Sequence, residues 1–200
     1  MEFILASQSP RRQQLLLAAG MKFTVCPTDT DENLPGNLPC DLYVMELATL
    51  KAAAGAKQAA KEEWEDEVLV IGADTVVSLD GAILGKPESQ QEAYDMLCSL
   101  SGRWHEVFTG VCVTRAGDGH AAARFCKTRV KFRSLSEEEI WAYIKTGEPM
   151  DKAGAYGIQE RGGLLTDGIE GDFSNVVGLP LGTLNEILKE EFSYDLLTEG

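Results

Sequence analysis

The chain has 200 residues, 44% hydrophobic and 25% charged, with a formal net charge of −14. That is enough for one domain with a packed core, and the balance is ordinary for a soluble globular protein. The acidic excess repels a long polyanion such as DNA or RNA, although a small anion can still bind where basic residues gather.

No apolar run approaches the length of a membrane span, and no basic stretch precedes an apolar segment at the N-terminus. No membrane partner and no signal peptide are therefore expected. The five cysteines are odd in number and form no C-x-x-C pair, so buried cytosolic thiols are expected instead of disulfides or zinc ligands. With only His105 and His120, a histidine metal cluster is not expected, and neither histidine receives a role.

In chain order, Phe3–Ala6 is an apolar run fit for one buried strand. Ser9 suits an N-cap, Pro10 the first helical position, and Gly20 a C-terminal stop, so a helix follows a tight turn. Arg11 and Arg12 occupy its first turn, where the helix dipole favours Asp or Glu. An anion held by backbone N–H groups, by Ser7 and Ser9 hydroxyls and by guanidinium forks accounts for that reversal. Two solvated arginines are the alternative.

Lys22–Cys26 reads as a strand ended by Pro27, and 28–40 as a loop. Its Asp29, Asp31 and Glu32 form a solvated acidic face or offer a metal ligand. Asp41 caps a helix to about Glu63 whose stripe Val44, Leu47, Ala48, Lys51, Ala52, Gly55 has the spacing of a buried face. Lys51 either snorkels to water from that stripe or aims into a cleft.

A buried strand spans 67–73, then Asp74-Thr75, then a hairpin of 76–79 and 82–84 around Asp80-Gly81. Asp74 reads as a strand-edge carboxylate flanked by apolar residues: a turn cap or, near lysines, a functional group. Lys86-Pro87 follows the hairpin. Ser89-Gln90-Gln91-Glu92 is a capping box for a helix burying Ala93, Met96, Leu97 and Leu100. Two long strands, 103–115 and 121–133, join at Gly117-Asp118-Gly119. Ser136 caps a further helix with Ile140, Tyr143 and Ile144 inward. Residues 148–181 are glycine-rich and weakly periodic, as functional segments often are. Thr183 caps a last helix, and the chain from Glu190 onward is expected to fray.

Strands and helices in this order make an α/β fold with a mixed sheet. Arg11, Arg12, Lys51 and Lys86 supply cations, and Asp74 and Glu32 supply carboxylates that add a divalent cation and a base for water.

The sequence resembles the Maf family of nucleoside triphosphate pyrophosphatases over nearly its whole length. The resemblance is carried by LASQSPRR at 5–12, GADTVV at 72–77, LGKP at 84–87, LSG at 100–102, GEPMDKAGAYGIQ at 147–159 and GDFSNVVGLPL at 171–181, in that order. It implies one domain over 1–200, an inosine-triphosphatase-like fold with an elongated sheet, and two lobes around a cleft. It also implies a divalent metal (Mg²⁺ or Mn²⁺), a cytoplasmic location and a homodimer. Residue by residue, it makes Asp74 the catalytic base and a metal ligand, with Glu32 as second ligand. Arg11, Thr75 and Gln159 correspond to substrate-selecting positions, and Ser7, Ser9, Arg12, Lys51 and Lys86 to phosphate-binding ones. The DKAGAYGIQ form is similar to the branch acting on dTTP and UTP. The implied reaction cleaves the α–β phosphoanhydride to a monophosphate and pyrophosphate. A nucleotidyltransferase using a sugar phosphate, and a non-catalytic regulator of septum formation, are the alternatives.

Overall fold

The computed structural model describes residues 1–30, 34, 38–62, 64 and 67–199. Asp31 and Glu32 of the acidic loop lie outside the described residues. The strands are β1 (Glu2–Leu5), β2 (Thr24–Val25), β3 (Val68–Leu79), β4 (Ala82–Leu84), β5 (Trp104–Arg115), β6 (Ala121–Phe132) and β7 (Thr166–Glu170). The helices are α1 (Pro10–Ala18), α2 (Cys40–Ala59), α3 (Gln90–Leu100), α4 (Glu137–Ile144), α5 (Phe173–Val177), α6 (Leu181–Phe192) and α7 (Leu196–Glu199), with 3₁₀ turns between α4 and β7. The sheet runs β2-β1-β3-β5-β6-β7, and β4 pairs with β3. It is mixed, as expected: β1 is parallel to β2 and β3, whereas β3–β4 and β6–β7 are antiparallel.

The chain divides into two compact units. The first comprises Met1–Asp74, Thr109–Cys126 and Gly178–Gly200. In it, one face of β1 and β3 (Phe3, Leu5, Leu69, Ile71, Ala73) packs with Leu16 of α1 and with Leu184, Ile187 and Leu188 of α6. The other face (Ile4, Ala6, Val68, Val70) packs with Ala56 and Ala59 of α2. Burial on both faces is why these strands read as unbroken apolar runs and not as alternating ones.

Helix α2 approaches the sheet unusually closely, and glycine allows it. A Cβ on Gly72 would lie 2.3 Å from the Ala48 carbonyl oxygen and 2.6 Å from the Ala52 nitrogen. A Cβ on Gly110 of β5 would lie 2.2 Å from the Val44 carbonyl oxygen. The alanine-rich face of α2 completes the fit, with Ala48 and Ala52 against Cys112.

The second unit comprises Thr75–Phe108 and Lys127–Val177. Helices α3 and α4 pack side by side, with Tyr94 and Trp141 stacked at 4.9 Å. In its core, the rings of His105, Phe132 and Tyr156 meet edge to face at 4.7 to 5.3 Å. The carboxylate Oδ1 of Asp172 accepts from the N–H groups of Ser174 and Asn175 at the start of α5, while Thr128 exchanges hydrogen bonds with the Asp172 backbone.

Several local expectations change. Strand β3 is one strand of 12 residues, not a strand and a separate hairpin arm. Helix α2 starts at Cys40, with Asp41 in its first turn and Pro39 before it, and it ends at Ala59. Thr183 lies inside α6, which begins at Leu181 after Pro180. In α3 the Ser89 hydroxyl accepts from the Glu92 N–H, but the Glu92 carboxylate accepts from Glu88, one residue upstream of the usual partner. A full reciprocal box forms at α4, between Ser136 and Glu139. Among the thiols only Cys112 is buried; Cys98 is exposed and the others are half-buried. The end of the chain is tied down: Asp195 pairs with Lys189 at 2.8 Å and accepts from the Asn185 side chain, whose amide oxygen Oδ1 accepts from the Leu196 N–H. Among the described residues, no helix is long and apolar enough to cross a membrane.

Candidate active site

The turn between β1 and α1 is built around the Ser7 hydroxyl. Its oxygen accepts from the Ser9 N–H at 3.3 Å and from Arg12 Nη1 at 3.1 Å. Arg12 Nε donates to the Gly178 carbonyl at 2.8 Å, so the guanidinium is tied to Gly178 as well as to Ser7. Ser9 stands at the N-cap position as expected, but its side chain makes no capping bond. No acidic residue occupies the first turn, where half-buried Arg11 and Arg12 lie. The positive end of the helix dipole, the Arg12 guanidinium and the Ser7 hydroxyl thus belong to one turn, and these are the kinds of group an anion site uses.

Asp74 is 9% exposed and sits in the interior of β3, not at a strand edge. A carboxylate there is costly unless paired. Lys51 of α2 supplies the partner, its Nζ donating to Asp74 Oδ1 at 2.6 Å, with both side chains largely buried. The close approach of α2 at Gly72 makes this possible: Ala48 and Ala52, which touch Gly72, flank Lys51 on the same helix face. The apolar stripe thus carries its lysine inward to a carboxylate instead of out to water.

The remaining expected site residues belong to the second unit. Thr75, half-buried, follows Asp74 on β3. Lys86 is exposed, just after β4. Gln159 is half-buried, between the 3₁₀ turns at 153–155 and 160–165. The Gly154 N–H donates to the Gly85 carbonyl at 3.0 Å, which joins the turn bearing Lys86 to the segment bearing Gln159.

Two features escaped sequence reasoning. The Lys51–Asp74 pair brings together residues read separately, since nothing local aligns them. Gly178 as the anchor for Arg12 lies 166 positions away, and its motif carries no chemical side chain at that point.

For a metal, the donor set is small. Among the described residues, no group of three or more His, Cys, Asp and Glu side chains gathers to hold an ion. Asp74 offers one hard carboxylate, which fits Mg²⁺ or Mn²⁺ when phosphate oxygens and water complete the shell. Glu32, the other expected ligand, lies outside the described residues.

The described chain thus combines a mixed α/β fold, a basic helix start and a buried lysine–aspartate pair. Comparison with known proteins gives the family. The Maf-like protein family matches residues 2–191, and the chain belongs to that family. A Moorella thermoacetica protein is 49% identical over 187 residues, covering 94% of this chain and 93% of its own length. One from Bdellovibrio bacteriovorus is 46% identical over 187 residues, covering 94% and 97%. One from Thermococcus kodakarensis is 46% identical over 195 residues, covering 98% of each. All three are named dTTP/UTP pyrophosphatase. Among solved structures, the Staphylococcus aureus Ham1 protein matches with a TM-score of 0.45 and 15% identity, over 66% of this chain and 72% of its own.

Proposed function

We propose that this chain hydrolyses dTTP and UTP to the nucleoside monophosphate and pyrophosphate, a reaction that serves nucleotide-pool sanitation. The observation that carries the reading is the lysine-held carboxylate of Asp74 in a chain whose full-length relatives bear that activity in their names. The phosphate groups are bound by the Ser7, Ser9 and Arg12 turn, by Lys51 and by Lys86. Asp74 accepts a proton from the attacking water; Lys51 engages Oδ1, so the proton is taken on Oδ2. The water oxygen bonds to phosphorus and the α–β phosphoanhydride breaks. The bridging oxygen leaves with one product, its developing charge stabilised by the cations. A divalent ion held by Asp74, with Glu32 as second ligand, supplies charge neutralisation at the phosphates when bound. Arg11, Thr75 and Gln159 select the base, since an amide that donates and accepts can match a uracil or thymine edge. We further propose a homodimer working in the cytoplasm as one Maf-like domain.

Phosphorus NMR of the protein with Mg²⁺ and either dTTP or UTP tests this. Pyrophosphate and monophosphate should appear with water as the only co-substrate. Orthophosphate and nucleoside diphosphate as first products would move the cleavage site. Turnover only on adding a sugar phosphate would make the protein a transferase, and none under any condition would leave a regulator.

A further inference from the structure

Around Gln159 the second unit contains a clamp that the proposed chemistry does not use. Tyr143 of α4 is 5% exposed, and its hydroxyl donates to Glu148 Oε1 at 2.9 Å. The same hydroxyl accepts from the Gly157 N–H at 3.3 Å. Glu148 Oε1 in turn accepts from the Gly162 N–H at 3.1 Å. One phenol and one carboxylate therefore hold the chain two residues before Gln159 and three residues after it.

The loop between these points is closed on itself. A Cβ on Gly162 would stand 1.9 Å from the Gly157 carbonyl oxygen and 2.8 Å from Tyr143 Oη. Only glycine permits the two strands of the loop to meet there. A Cβ on Gly157 would press on the Lys152 side chain at 2.7 Å, and the Lys152 ammonium is held by the Glu148 carbonyl at 2.6 Å.

The backbone beside Gln159 is also strained. Glu160 has φ +54° and Ala155 φ +59°, left-handed values that side chains with a Cβ rarely adopt. Such conformations persist where the surroundings over-determine them, and they collect at ligand-contacting segments. Together the two set the direction of the chain on either side of 156–159.

We infer that Tyr143 and Glu148 are positioning residues for base selection: they clamp loop 157–162 so that Gln159 is presented to the pyrimidine in one orientation. The inference rests on Gln159 reading the base. A preorganised amide recognises a two-point hydrogen-bonding edge without first being ordered, which is where such a clamp raises affinity. Burial pushes the Tyr143 phenol up from its usual range, so it remains a donor throughout.

Steady-state kinetics on UTP, dTTP and a purine triphosphate tests the clamp, using Tyr143→Phe, Glu148→Ala, Glu148→Gln and Gln159→Ala. Loss of one hydrogen bond to the loop should raise KM for UTP and dTTP roughly tenfold in Tyr143→Phe and Glu148→Ala, with a smaller change in kcat. Purine KM should move little, so the pyrimidine preference falls. Glu148→Gln keeps the acceptor oxygen and should restore most of the preference. Combining Tyr143→Phe with Gln159→Ala should add little to Gln159→Ala alone, the signature of a shared pathway. If Gln159→Ala lowers the preference while Tyr143→Phe and Glu148→Ala lower only the melting temperature, the clamp is merely structural and the inference fails. If Gln159→Ala leaves the preference intact, the base-reading role fails and takes the inference with it.

Discussion

At the scale of single residues, Asp74 is the side chain whose placement is hardest to explain by stability alone. A carboxylate inside β3 weakens the strand and must be desolvated, and its pairing with Lys51 offsets this. Asp74→Asn keeps the shape but removes the proton acceptor, so kcat should fall roughly a hundredfold or more while the fold remains. A folded variant with wild-type kcat would take Asp74 out of the reaction. His105 makes a different claim. It is 2% exposed, its Nε2 meets the Tyr156 hydroxyl at 2.7 Å, and its Nδ1 is buried with no hydrogen-bond partner among the described residues. Burial lowers its pKa from 6.5 to about 4. As pH falls below 6.5 the unfolded chain takes up this proton before the folded one does. Stability is therefore full above pH 6.5, declines toward pH 4 and levels off below. The contribution is about 3 kcal/mol on the scale of 1.36 kcal/mol per pH decade. Urea titrations at pH 7, 5 and 4 should show that slope reduced in His105→Leu, and an unchanged slope would locate the acid sensitivity elsewhere.

At the scale of elements, the contact of α2 with the sheet decides whether the Lys51–Asp74 pair can form. Lys51 reaches Asp74 because Gly72, Gly110 and the small residues of α2 let backbone meet backbone. Gly72→Ala places a methyl 2.3 Å from the Ala48 carbonyl, a clash that no rotamer change relieves. Overpacking of this kind costs typically 1–3 kcal/mol and here should reach about 3 kcal/mol or more. It should lower activity further than stability alone explains, by widening the Lys51–Asp74 separation. Chemical denaturation and kcat at a temperature where the variant stays folded separate the two effects. The last elements of the chain are better anchored than their composition suggests. Leu196 packs into the core beside Phe192, and Asp195 ties α7 to α6. The Lys189 ammonium and the Leu197 N–H hold the Asp195 carboxyl down at about 2. Removal of residues 194–200 should therefore lower the melting temperature measurably, whereas a frayed tail could be cut without effect.

At the scale of the whole molecule, 32 acidic residues oppose 18 basic ones, so attraction for a triphosphate has to be local. Two outcomes follow from that balance. A non-hydrolysable dTTP analogue at about a hundred times its Kd should raise stability by about 2.7 kcal/mol, and its affinity should depend on the divalent ion that offsets the acidic field. A thermal shift independent of the ion would argue against the carboxylates sharing the phosphate site. A DNA duplex in about tenfold excess should leave dTTP turnover unchanged, because a polyanion gains no counterion release from an acidic surface. Inhibition by the duplex would reveal a basic face that net charge conceals.

The amino-acid sequence by itself determined what depends on neighbours in the chain. The apolar runs of β1 and β3, the glycine turns, the Ser136 capping box and the α2 stripe were all legible, because each is a pattern within a few residues. The basic first turn of α1 stood out for the same reason, since the dipole that makes arginines unusual there is local. Its motifs also identified the family, whose profile covers nearly the whole chain. Strand β7 was not legible, since Thr166–Glu170 has no apolar alternation and forms by pairing with β6. Tertiary structure alone decided which atoms meet. It joined Lys51 to Asp74 across 23 positions and Arg12 to Gly178 across 166, and it made Glu148 a partner of Gly162. Such contacts are written in no local periodicity. They arise where backbones approach closely enough, at glycines and small residues, for a buried polar group to find the partner that burial demands.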